Sequence, residues 1–200
     1  MSGEKGGQVL IDAHIESFGL SAATSTRTGT LLVTASRYAT PNAHLGRSAK
    51  SGGNVTLHDS AGAELRRLTN ETFAPVGHTY LLDRPTAVCA DLRGNFFVAD
   101  PGRHSVIGFH ADGEFMFEYG NTDAEEELYQ GPDALCVDRH GQVVVLDKKD
   151  GRIDVLSYDG ELLRCYFPPE HIRFACVTPK KSLMLVNSEG EIKFYDYMNV

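Results

Sequence analysis

Tryptophan is absent from the 200 residues, and no apolar run approaches the roughly 18 residues that a membrane-spanning helix requires. Residues 1–8 are polar and glycine-rich, without the apolar segment of a secretory leader. A cytoplasmic or nuclear protein without a membrane partner is the expectation, with the cytoplasm as the simpler assignment. Excess positive charge is also missing. Lysine and arginine number 19 against 27 aspartates and glutamates, a net charge of −8, which argues against a surface that coats nucleic acid. The four cysteines include no C-x-x-C pair, so neither a zinc ribbon nor a redox motif is indicated. The eight histidines form no H-x-H or H-E-x-x-H pairing. No G-x-S-x-G elbow, Walker loop or Rossmann fingerprint occurs. No catalytic residue, metal ligand or cofactor is therefore expected.

What the chain does contain is a repeat. At a constant offset of 47 residues, Pro85 meets Pro132, Cys89 meets Cys136, and Asp91 meets Asp138. Gly94 meets Gly141, Val98 meets Val145, and Asp100 meets Asp147. Asp112-Gly113 meets Asp159-Gly160, and Tyr119 meets Tyr166, with no gap. A weaker copy follows, with Cys176 at the Cys136 position, Leu185 at Val145 and Asn187 at Asp147. A degenerate copy precedes the strong pair: 29–33 resembles 94–98, and 55–62 resembles 106–113, with a Gly/Ser-rich insertion at 37–53 between its halves.

Each full copy divides into four short strand-like runs, in the strongest at 86–90, 95–99, 105–110 and 114–119. Arg-Gly, Pro-Gly and Asp-Gly punctuate them, the chemistry of hairpins and tight turns. Residues 143–146 are apolar on both faces, as an inner strand packed between two sheets must be. Helical periodicity is missing, except that 125–129 could form one turn. Four-stranded units repeating every ~40–47 residues are the pattern of propeller blades. The expected fold is all-β, a propeller of about four blades. The absent Trp-Asp dipeptide and the lack of a recurring Gly-Gly doublet disfavour WD40 and kelch units.

The copies resemble the NHL repeat. Pro85, Asp91, Gly94-Asn95, Val98-Ala99-Asp100, His104, Val106 and Asp112-Gly113 fit its pattern, as do Pro132, Asp138, Gly141, Val145, Asp147, Ile153 and Asp159-Gly160. The resemblance spans about 29–200, and it is specific in these two units. NHL propellers of tripartite-motif proteins usually have six blades, so closure here needs its own solution. The N-terminal strand at 8–12 could complete the last blade, the chain could be part of a larger propeller, or two chains could complete one. The favoured division is a flexible segment at 1–7, blades at 13–69, 84–120 and 131–167, and a last blade at 172–200 completed by 8–12.

Asp100, Asp147 and Asn187 follow the second strand of successive units. Their repetition favours a structural role as turn residues that accept backbone N–H groups, over a ring of metal-binding acids. Cys89, Cys136 and Cys176 are expected as buried core groups of the innermost strands. The insertion holds Arg37, Tyr38, Arg47 and Lys50 and no acid. With Arg84, Arg103, His104, Lys148, Lys149 and Arg152 it is the candidate binding surface, since loops on one propeller face carry recognition. Residues 123–127 (DAEEE) form an acidic inter-blade loop that would repel nucleic acid.

The resemblance implies a non-catalytic module that reads a protein partner, as in substrate selection by a ubiquitin ligase, or single-stranded RNA. The chain has no RING or B-box cysteine pattern of its own. The acidic balance favours protein over RNA. A metal-dependent propeller hydrolase or lyase is the alternative, and self-association is expected if the ring is open.

Overall fold

A computed structural model describes residues 20–25, 32–38, 52–59, 63–69, 82–120, 131–178, 180 and 182–196. Among them every regular element is a strand, in four antiparallel sheets whose strands follow chain order. The first sheet is β1 (Leu20–Ser25), β2 (Leu32–Tyr38), β3 (Gly52–His58) and β4 (Glu64–Leu68). The second is β5 (Ala87–Ala90), β6 (Phe96–Asp100), β7 (Ser105–Phe109) and β8 (Phe115–Gly120). The third is β9 (Pro132–Val137), β10 (Val143–Asp147), β11 (Arg152–Leu156) and β12 (Leu162–Tyr166). The fourth has three strands, β13 (Ile172–Val177), β14 (Leu183–Asn187) and β15 (Ile192–Tyr195).

Local chemistry dictates the hairpins. At Asp112-Gly113 the His110 N–H donates to Glu114 O at 2.8 Å, and the Gly113 N–H donates to His110 O at 2.8 Å. That closure needs a left-handed residue, and Gly113 supplies it at φ 85°. The ladder slips by one residue beside the turn, between Gly108 and Phe109. Asp159-Gly160 repeats the same bonds, from Ser157 N–H to Glu161 O and from Gly160 N–H to Ser157 O.

Alternation then assembles the core. In β10, Val143 and Val145 pack toward the second sheet, while Val144 and Leu146 pack toward the fourth. Three apolar layers result. Val55, Leu57 and Leu68 meet Val88, Phe96, Val98, Ile107 and Phe109. Cys89, Phe97, Val106 and Phe117 meet Val143, Val145 and Leu156. Val144, Leu146, Ile153 and Val155 meet Ile172, Leu183 and Leu185. Phe96 and Phe109 stack at 5.1 Å, and each contributes about 1.5–3 kcal/mol by burial. The inner strands β1, β5, β9 and β13 touch in succession, so the sheets fan about one axis. Among the described residues the fan does not close into a ring.

The first sheet corrects one alignment. Val33 pairs with Leu57 as Phe97 pairs with Gly108, and Val55 pairs with Ala35 as Val106 pairs with Ala99. Val33 therefore takes the place of Phe97 and not of Val98. The insertion is also shorter than its composition suggests, because Arg37 and Tyr38 pair with Gly53 and Gly52. The expected strand at 8–12, the segment 1–7 and the acidic run 123–127, with its expected helical turn at 125–129, lie outside the described residues.

Candidate protein-binding face

Successive hairpins of an antiparallel sheet lie at opposite ends. One end of the fan carries the β2–β3, β6–β7, β10–β11 and β14–β15 turns together with the chain segments that pass from sheet to sheet. Arg84, Arg103, His104, Lys148, Lys149 and Arg152 all belong to this end, as do the ends of β2 and β3 around Arg37 and Tyr38. Arg47 and Lys50 fall outside the described residues.

The turns here are held by the repeated acids. Asp100, fully buried, accepts from the backbone N–H groups of Asp83 (2.6 Å), Arg84 (2.8 Å) and Gly102 (3.0 Å). One carboxylate thus staples the segment entering β5 to the β6–β7 turn. Asp147 does the same in the next unit, accepting from Gly131, Lys149 and Asp150 at 3.0, 3.0 and 3.2 Å. Asn187 accepts from Glu189 and Glu191 within its own hairpin, at 3.0 and 2.9 Å. These contacts are those of turn residues. Burial pushes the Asp100 carboxyl up from its ordinary range, against the pull of the three N–H donors.

The candidate cations divide into two groups. Arg103 is buried and pairs with Glu118 at 2.9 Å, and Ser105 Oγ donates to the same carboxylate. Arg152 pairs with the fully buried Asp154 at 2.7 Å. Both are held in ion pairs within their own blades, Arg103 to β8 and Arg152 along β11. Arg84, Lys148 and Lys149 are exposed. Arg84 lies 3.5 Å from Asp83, and Lys148 Nζ sits 5.7 Å from the Phe174 ring centroid. His104 closes the β6–β7 turn in the left-handed region, at φ 55°, where the equivalent residues of the next two units are Gly151 (φ 62°) and Gly190 (φ 85°). Beside the fourth sheet the same end turns acidic. Glu170, His171, Asn187, Glu189 and Glu191 line a cleft of about 360 Å³. A lysine- and arginine-bearing sector therefore adjoins a carboxylate-bearing one.

Sequence reasoning missed three structural pieces. Asp91 and Asp138 staple the turns at the opposite end: Asp91 Oδ1 accepts from Arg93 and Asn95 at 2.8 and 2.9 Å, and Asp138 Oδ1 from His140 and Gln142 at 2.8 Å. Their recurrence at offset 47 was the available signal. Asp154 had none, because its neighbours Tyr119 and Cys165 come from other strands. Cys89, Cys136 and Cys176 follow one another along the inner strands; Cys89 is buried as expected, whereas Cys136 and Cys176 are half-buried. Burial pushes the Cys89 thiol well up and that of Cys136 to about 12, which keeps both protonated at neutral pH. Among the described residues, no three or more His, Cys, Asp or Glu side chains are grouped so as to hold a metal ion.

No family model matches the chain, and no curated protein matches it. Solved structures do. A computationally designed protein, Ika4, superposes with TM-score 0.60 at 16% identity, covering 94% of this chain and 98% of that one. BamB from Moraxella catarrhalis superposes with TM-score 0.61 at 14% identity, over 94% of this chain and 49% of BamB. This chain has a β-propeller fold. A chain of a nidogen–laminin complex gives TM-score 0.53 at 14% identity, over 85% of this propeller and 72% of that chain. The propeller thus spans about half the length of BamB. At such identities the likeness is one of fold, and the binding end must be argued from its own residues.

Proposed function

We propose that this propeller is a non-catalytic binding module that recognises a protein partner through the end bearing the β6–β7, β10–β11 and β14–β15 turns. The observation that carries the reading is the charge layout on stapled turns. Exposed Arg84, Lys148 and Lys149 stand beside the cleft of Glu170, Glu189 and Glu191. Alternating sectors of opposite sign suit a folded protein surface of complementary charge. A continuous phosphate backbone needs an unbroken cationic track, and the acidic cleft interrupts it. Solution of a similar fold in a nidogen–laminin complex supports a protein ligand, and the NHL resemblance supports substrate selection within a cytoplasmic ubiquitin-ligase system.

The test compares proteins retained from cytoplasmic extract by the wild-type chain and by a K148E/K149E variant. A retained set that the double charge reversal removes, at unchanged thermal stability, supports the reading. In parallel, binding of a 20-nucleotide single-stranded uridine RNA is measured against salt. Affinity falling steeply with added salt would move the assignment to RNA. Stoichiometric divalent metal in the purified protein would move it to a hydrolase or lyase.

A further inference from the structure

The end of the fan opposite the β6–β7 and β10–β11 turns has a charge layout of its own. The described hairpins nearest the axis there are β5–β6, β9–β10 and β13–β14, because β5, β9 and β13 are innermost strands. Each presents an exposed cation: Arg93 on the first, Arg139 on the second and Lys180 on the third. The described hairpins farther out carry the opposite sign. Asp112 and Glu114 are exposed on β7–β8, and Asp159 and Glu161 on β11–β12. Cations thus stand around the axis, and carboxylates form a rim outside them.

The central cations stand on fixed tips. Asp91 and Asp138 are buried beneath their hairpins and bond backbone N–H groups of the same turns, and Asp91 also accepts from Asn95 Nδ2 at 3.0 Å. The first two tips abut: a Cβ on Gly141 would lie 3.9 Å from Asp91 Oδ2 and 3.5 Å from Tyr158 Cβ. Arg93 lies over that Tyr158 ring at 5.7 Å, and Arg139 Nε donates to His140 Nε2 at 3.3 Å. Among the described residues, none of Arg93, Arg139 and Lys180 is paired with a carboxylate, whereas Arg66, Arg67, Arg103 and Arg152 are. In a chain with 27 acids against 19 lysines and arginines, that arrangement leaves three cations available to an anion.

We infer that the axial centre of this end binds a soluble, compact ligand bearing several phosphate groups, held jointly by Arg93, Arg139 and Lys180. Arginine meets phosphate with parallel N–H donors, and lysine adds a point charge. A phosphate monoester brings up to about two negative charges, so one small molecule can engage all three tips. The rim selects for compactness. A nucleic-acid strand or an anionic membrane would extend past the centre and meet Asp112, Glu114, Asp159 and Glu161, where like charges repel. The site lies at the other end from Lys148 and Lys149 and does not depend on the protein-binding face.

The test titrates the whole chain with inositol hexakisphosphate while backbone amides are followed by NMR. The expected result is saturable one-to-one binding that shifts the amides of Arg93, Arg139, His140 and Lys180 and leaves those of Lys148 and Lys149 unmoved. An R93Q/R139Q/K180Q variant should bind at least about tenfold more weakly, since a hydrogen bond to a charged group is commonly worth that factor. All three side chains are exposed, so its thermal unfolding should match that of the wild type. Absence of saturable binding overturns the inference, as do shifts centred on Lys148 and Lys149 or an unweakened triple variant. Equal affinity for hexaglutamate would assign an acidic peptide instead. Sedimentation with phosphatidylcholine vesicles containing phosphatidylinositol bisphosphate, and not with phosphatidylcholine alone, would assign a membrane. Either result also overturns it.

Discussion

The ring of Phe117, on the outer strand of the second blade, lies against the backbone of Gly160 in the third, and a methyl group at Gly160 would occupy the space of the ring. Two blades are keyed together at that point, with Gly108 of β7 bounding the same ring: a Cβ there would sit 2.5 Å from Phe117 Cε1.

Gly160→Ala should accordingly be much more disruptive than Gly151→Ala. Both glycines have positive φ, at 92° and 62°, but nothing lies within 4 Å of a Cβ at Gly151. The left-handed conformation alone costs about 1–2 kcal/mol, and overpacking adds about 1–3 kcal/mol. Thermal unfolding of the two variants measures the difference; equal shifts would refute the keyed contact.

His104→Gly should raise stability by up to about 1 kcal/mol, since a left-handed histidine is relieved and Gly151 and Gly190 already serve the equivalent turns. Urea midpoints at constant m-value report it. A loss of stability would show that the histidine side chain contributes more than its backbone costs.

Asp147→Ala should cost about 2–3 kcal/mol, because it orphans the Gly131, Lys149 and Asp150 N–H groups at once. Asp147→Asn should retain part of this, as Asn187 does in the last blade. Divalent metal should change neither unfolding curve. A metal-dependent rise in Tm would mean that the acids act as ligands.

The cations should separate by role. Arg152→Ala leaves Asp154 buried without its guanidinium and should cost about 3–5 kcal/mol. K148E/K149E should shift stability by less than about 1 kcal/mol, since both side chains are exposed. Denaturant unfolding of the two variants gives the comparison.

Thiol labelling should be slow despite the exposure of Cys165. Partial burial and then the Asp154 carboxylate push its thiol up to about 11, and burial pushes that of Cys136 up to about 12. Only the thiolate reacts, so at pH 7.5 Cys165 should label about three hundredfold more slowly than a free cysteine of pKa ~8.5. The rate should climb about tenfold per pH unit up to pH 10. A plateau near pH 9 would contradict the assigned shift.

Much of this was legible in the chain. The offset of 47 located the strong units, the Asp-Gly turns located their hairpins, and the doubly apolar run at 143–146 identified a strand covered on both faces. Asp100 and Asp147 could be read as turn acids because they recur where a chain reversal is needed. The binding surface was less legible. Arg103 and Arg152 have the composition of ligand-facing cations, and only the folded blades, which bring Glu118 beside Arg103 and bury Asp154 next to Arg152 on β11, show otherwise.

Local periodicity and turn chemistry act over a few residues, and a repeat makes the same local instructions visible several times. Strands, hairpins and blade-like units were therefore determined by the sequence alone. Tertiary structure decided which charges remain at the surface and where Phe117 meets Gly160. Those outcomes depend on burial and contacts that exist only once neighbouring strands and sheets have packed.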